Sequence, residues 1–150
     1  MQLRRGGPPR RRGLLRQVLR RLLGDPDHPQ PHARLALTQE ISPVFVVDPD
    51  ALSRVGIQSF FERTRDLRVV AEAATLGEAR IRMEGLPEAA GILIADVPLR
   101  DGSGIDIIAE ARRREPPLEV IVHCTAVTAH TLRRALALGA RGVVLKCSGG

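Results

Sequence analysis

Tyrosine and tryptophan are absent from this 150-residue chain, and phenylalanine occurs only three times. That scarcity argues against nucleic-acid binding by stacking bases on aromatic platforms. Cysteine is nearly as rare. Cys124 and Cys147 are the only two, too few for a disulfide scaffold, and a reducing cytoplasm is the default expectation. No apolar run approaches the roughly 18 residues of a membrane span. The N-terminus also lacks the uninterrupted apolar core of a secretory signal. Lysine is scarcer still: among 23 Lys and Arg residues it occurs once, as Lys146. An Arg-for-Lys bias of this degree is usually a codon effect, so the single ammonium group stands out.

What is present divides the chain in two. Residues 1–24 hold eight Arg and no acid, so of the 23 basic residues 15 remain against 17 acidic ones in residues 25–150. The formal charge of +6 therefore belongs to a tail, and the remainder is mildly acidic. Within that tail, residues 10–23 place Leu14, Leu15, Val18, Leu19, Leu22 and Leu23 at helical spacing, with Arg16 and Arg20 opposite. This basic amphipathic pattern suits acidic lipid, nucleic acid or a partner; the plainer reading is a disordered extension. Residues 25–43, rich in proline, read as a linker in which His28 and His32 lack metal-like partners.

From Val44 the pattern becomes regular. Short apolar runs at 44–47, 67–71, 91–95, 119–124 and 141–145 predict strands. Helical periodicity over 51–65, 76–86, 103–114 and 129–138 predicts the helices between them. Thr75 followed three residues later by Glu78 has the spacing of a capping box. The strands are continuously rather than alternately apolar, as in a parallel sheet covered on both faces. The expectation is a flavodoxin-like, doubly wound α/β fold over residues 44–150, with five parallel strands and the last helix lacking.

Ligands in open α/β sheets bind beyond the carboxyl ends of the strands. Three of the predicted strands end there in a charged residue, at Asp48, Asp96 and Lys146, and a fourth ends in Cys124-Thr125. Two carboxylates held close repel, so one is protonated or a cation sits between them. Mg²⁺ suits such oxygen donors, because it takes one or two carboxylates with water and phosphate. Lys146 adds a compact positive charge for a phosphoryl oxygen. Asp96 among these groups is a candidate nucleophile for phosphoryl transfer. His123, inside an apolar run, reads as a core histidine with its hydrogen bonds satisfied.

These residues resemble the receiver domain of two-component response regulators, of the subfamily usually joined to a LuxR-type helix-turn-helix. The resemblance rests on Val46-Val47-Asp48, on Asp96 with Leu99 and Asp101-Gly102-Ser103-Gly104, and on Gly139-Ala140-Arg141-Gly142 before Leu145-Lys146. It implies that Asp96 is the phosphoacceptor, supplied by a sensor histidine kinase. It implies Lys146 as the phosphate contact, Cys124 or Thr125 as the hydroxyl-type contact, and Asp48, Asp96 and the Pro98 carbonyl as ligands of Mg²⁺. It implies phosphorelay signalling, with possible control of transcription, rather than enzymatic turnover. A second copy or another regulator is the expected partner, while direct DNA binding has no output domain here to carry it.

The departures are as informative as the matches. The family usually has two consecutive acids after the first strand, and the second is Pro49 here, which weakens the hold on Mg²⁺. Asp50 follows, but one position further on. The family's Ser/Thr position falls without gaps on Cys124, and Thr125 fits only with a one-residue slip. Two other readings stay open: a phosphorylation-independent interaction module, and a haloacid-dehalogenase-like phosphatase using Asp48 in Asp48-Pro49-Asp50.

Overall fold

The structure is a computed structural model, and it describes residues 40–146. The basic segment 10–23, the linker up to residue 39, and Cys147 lie outside the described residues. The strands and helices alternate as β1 (Ser42–Val47), α1 (Ala51–Glu62), β2 (Leu67–Ala73), α2 (Leu76–Glu84) and β3 (Ile92–Ala95). A short hairpin follows, β4 (Pro98–Leu99) and β5 (Gly102–Ser103). Then come α3 (Gly104–Arg113), β6 (Glu119–Cys124), α4 (Ala129–Ala137) and β7 (Ala140–Leu145). The main sheet has the order β2-β1-β3-β6-β7, and every pairing in it is parallel.

The alternation of side chains across the sheet sorts the core into two layers. Phe45, Val47, Leu93, Ala95, Val120 and Val122 pack on one face with Leu76 and Ala79 of α2, Ile105, Ile108 and Ala111 of α3, and Ala135 of α4. Val44, Val46, Ile92, Ile94 and Ile121 point the other way and are at most 1 % exposed. Ile57 and Phe61 are the buried residues of α1, which packs along β2. Four helices, rather than the five of a complete fold of this type, are seen among the described residues. Exposure of apolar side chains rises at the rim, to 41 % at Val70 in β2 and 39 % at Leu145 in β7. Each fully buried Val, Ile or Phe contributes about 1.5–3 kcal/mol, which makes the three central strands the firm part of the scaffold.

Local chemistry sets the element ends. Asp50 caps α1 by accepting from the Leu52 N–H, at 3.0 Å. Thr64 ends that helix three residues short of the periodic pattern: its N–H and its hydroxyl both donate to the Phe61 carbonyl, at 2.9 and 2.8 Å. Thr75 caps α2 through the Glu78 N–H at 3.1 Å, and Glu78 in turn accepts from the Ala74 N–H at 2.8 Å. β1 starts at Ser42, two residues inside the expected linker, because the Ser42 N–H reaches the Asp66 carbonyl at 2.8 Å. The β4–β5 hairpin is absent from the sequence expectation, since two-residue strands carry no periodicity.

Candidate functional site

One further ladder bond carries each functional candidate past the end of its strand. The Asp48 N–H donates to the Ala73 carbonyl at 3.0 Å, the Asp96 N–H to Val47 at 2.8 Å, and the Lys146 N–H to Cys124 at 2.9 Å. The strand order makes β1 and β3 neighbours and puts β6 and β7 next in line. Backbone pairing alone therefore brings residues 48, 96 and 146 to one sheet edge, although 98 positions separate the first from the last.

Lys146 closes the cluster. Its Nζ lies 2.7 Å from Asp96 Oδ2 and 2.9 Å from Asp48 Oδ2. Both carboxylates are buried, Asp48 at 1 % and Asp96 at 4 % exposed. Burial alone would drive the Lys146 ammonium toward the neutral amine. Its hydrogen bonds to Asp96 and Asp48, and their charges, outweigh that effect and raise its pKa above the ordinary lysine value.

The remaining oxygens also have donors. Asp48 Oδ1 accepts from the Asp50 N–H at 2.9 Å, and Asp48 Oδ2 from the Ser53 hydroxyl at 2.7 Å. Asp96 Oδ1 accepts from the Val97 N–H at 2.8 Å. Arg54 Nη1 donates to the Asp48 backbone carbonyl at 2.7 Å, which adds a second positive group beside the pair. Ser53 and Arg54 are the contacts that sequence reading missed. Their signal was their place in the first turn of a helix that starts directly after a site residue.

The other expected residues fall as follows. Cys124 ends β6 fully buried, and burial, then the Asp96 charge, raise its thiol pKa against the opposing pull of Lys146. Thr125 is exposed. Pro98 opens the β4–β5 hairpin, opposite Ser103. Asp50 is exposed, and its carboxylate is engaged in capping α1. His123 departs from the expected satisfied core histidine: its buried Nδ1 has no hydrogen-bond partner among the described residues. Burial, reinforced by Lys146, lowers its pKa, while Asp48 and Asp96 oppose the shift.

The loop after Asp96 is held from two sides. Asp101 accepts from the N–H groups of Leu76 and Gly77, at 2.6 and 2.8 Å, which ties the hairpin to the start of α2. Those hydrogen bonds lower the Asp101 pKa. At Gly104 the backbone comes so close to Asp96 that an added Cβ would collide with the Asp96 carbonyl oxygen.

Mg²⁺ needs near-octahedral oxygen coordination at about 2.0–2.1 Å and gives up its water reluctantly. Among the described residues no group of three or more His, Cys, Asp or Glu side chains comes together to hold a metal ion. Every carboxylate oxygen of Asp48 and Asp96 already accepts from a donor of this chain. The residues as arranged do not fit a resident divalent ion.

Comparison with known proteins matches residues 44–149 to the response regulator receiver domain. The DNA-binding transcriptional activator DevR/DosR of Mycobacterium tuberculosis is 30% identical over 103 residues, which is 69% of this chain and 46% of that protein. The chain spans about half the length of the curated relatives it matches. A LuxR-family two-component response regulator from Aurantimonas superposes with a TM-score of 0.62 at 28% identity, covering 72% of this chain and 76% of that one. The isolated receiver domain of RcsB from Salmonella enterica, with a phosphomimetic BeF₃⁻, gives a TM-score of 0.63 at 26% identity over 71% of this chain and 78% of that one. Topology and these matches agree: the chain belongs to the response regulator receiver family.

Proposed function

We propose that this chain is a phosphorelay receiver that accepts a phosphoryl group on Asp96 from a sensor histidine kinase in the cytoplasm. The observation that carries this reading is Lys146 Nζ set between two buried carboxylates at the sheet edge. A carboxylate oxygen of Asp96 attacks phosphorus in line with the departing donor group. Charge then spreads over the three equatorial oxygens of the phosphoryl group. Lys146 neutralises part of it, and Cys124 is the side chain that stands at the family's hydroxyl position. The Mg²⁺ that the resemblance implies enters no step here, because the donors do not fit it and Pro49 removes one carboxylate. The phosphorylated form then signals to a second copy or another regulator, and through it to transcription, without turning over a substrate.

Incubation with acetyl phosphate, followed by intact-mass analysis, tests the reading. One phosphoryl adduct is expected on the unaltered chain, and none on Asp96→Asn. An adduct that survives Asp96→Asn overturns the assignment. No adduct on the unaltered chain favours a second reading, a receiver-fold interaction module without phosphorylation, for which Pro49 speaks. The phosphatase reading has Asp50 spent as a helix cap, and no observation favours it.

A further inference from the structure

We infer that Lys146 is itself the resident cation of this site, and that the unphosphorylated chain takes up no divalent ion at millimolar concentration. The inference rests on the receiver reading only for the choice of Asp48 and Asp96 as the pocket. Four observations carry it. The residue after Asp48 is Pro49, whose side chain offers no oxygen. The next carboxylate, Asp50, is exposed and holds the Leu52 N–H at 3.0 Å, so it is committed to α1 rather than to the pocket.

The third observation is Ser53. Its hydroxyl donates to Asp48 Oδ2 at 2.7 Å, the same oxygen that Lys146 reaches at 2.9 Å. Two donors of this chain thus converge on the oxygen nearest Asp96's own partner. The fourth is charge. Two carboxylates face the Lys146 ammonium, and the Arg54 guanidinium lies 2.7 Å from the Asp48 carbonyl, so the cluster already holds as many positive as negative groups. A dication entering such a cluster must displace Lys146 or sit against it. It would gain at most two carboxylates in return, while giving up water it releases reluctantly.

The test uses the full chain and Mn²⁺, with free Mn²⁺ read by electron paramagnetic resonance and Tm read with and without Mg²⁺. The unaltered chain is expected to leave the free Mn²⁺ signal unchanged, and its Tm is expected not to respond to Mg²⁺. Pro49→Asp restores the missing carboxylate and should deplete free Mn²⁺, tightening binding by about tenfold or more. Lys146→Met removes the internal cation and should lower Tm in EDTA, with partial recovery on adding Mg²⁺. Mn²⁺ bound by the unaltered chain and released by Asp48→Asn overturns the inference. So does a Pro49→Asp, Lys146→Met double variant that ignores Mn²⁺, since neither the missing carboxylate nor the internal cation would then be what excludes the ion. Acetyl phosphate labelling is scored separately. A chain that ignores Mn²⁺ and is never labelled overturns the phosphoryl reading while supporting this one.

Discussion

Cys124 shows what one residue decides in this site. We propose it, rather than Thr125, for the position where the family places a hydroxyl; it is fully buried, and its thiol pKa is raised by burial and then by Asp96. The thiol therefore stays protonated at neutral pH, a weak donor with no nucleophilic role. A threonine hydroxyl in its place is a stronger donor, and a neutral hydrogen bond is worth about 0.5–1.5 kcal/mol. Cys124→Thr should accordingly raise the rate of acetyl phosphate labelling at Asp96 by about two- to tenfold. An unchanged or slower rate with Tm preserved would remove Cys124 from the phosphoryl contact and leave it as packing. At this scale the sequence was legible wherever a strand end fixed the position: Asp48, Asp96 and Lys146 followed from apolar runs that stop at a charge. Ser53 and Arg54 did not, because their contacts depend on the angle at which α1 leaves β1. Nor did the orphaned Nδ1 of His123, since the partner of a buried ring nitrogen is set in three dimensions.

The elements that hold Asp96 are β3 on one side and the β4–β5 hairpin with α3 on the other. Gly104 is their point of closest approach. Its N–H donates to the Val97 carbonyl at 2.7 Å, and an added Cβ would collide with the Asp96 carbonyl oxygen and meet its carbon at 2.9 Å. Both are backbone atoms, so neither yields by a change of rotamer. Alanine usually favours a helix over glycine by about 1 kcal/mol, but overpacking against fixed backbone costs about 1–3 kcal/mol or more. The clash wins. Gly104→Ala should lower stability by about 3 kcal/mol, read as the urea midpoint. Gly102→Ala is the control: its added Cβ meets the flexible tip of Leu76 at 2.7 Å, and the loss should be clearly smaller. Equal losses would mean that the loop relaxes and that Gly104 does not set the height of Asp96. The Gly-Ser-Gly pattern was visible in sequence as a turn. Which of its glycines bears the constraint was not, because that is a matter of contact.

At the scale of the molecule the fold was the most legible feature. Continuous apolar strands separated by helical periods leave few topologies for a parallel sheet with right-handed crossovers. The order β2-β1-β3-β6-β7 then delivers the three charged strand ends together without any further instruction. What the topology assembles, the whole domain must also stabilise, and Lys146 is the joint between its two halves. It couples β7 to carboxylates on β1 and β3. Removing one partner of a buried ion pair costs about 3–5 kcal/mol, because the other charges remain buried and uncompensated. Lys146→Met in EDTA should cost about that much at neutral pH. The pH dependence has a definite sign. The folded pKa of Lys146 lies above its ordinary value of 10.5, so its contribution is complete below 10.5 and disappears as pH rises through the folded value. Urea unfolding of the unaltered chain and Lys146→Met should therefore differ by a constant amount from neutral pH up to 10.5. The two curves should converge between 10.5 and the folded value. A gap that stays constant through the alkaline range would show that Lys146 acts by packing its methylenes, and the electrostatic account of the joint would fall.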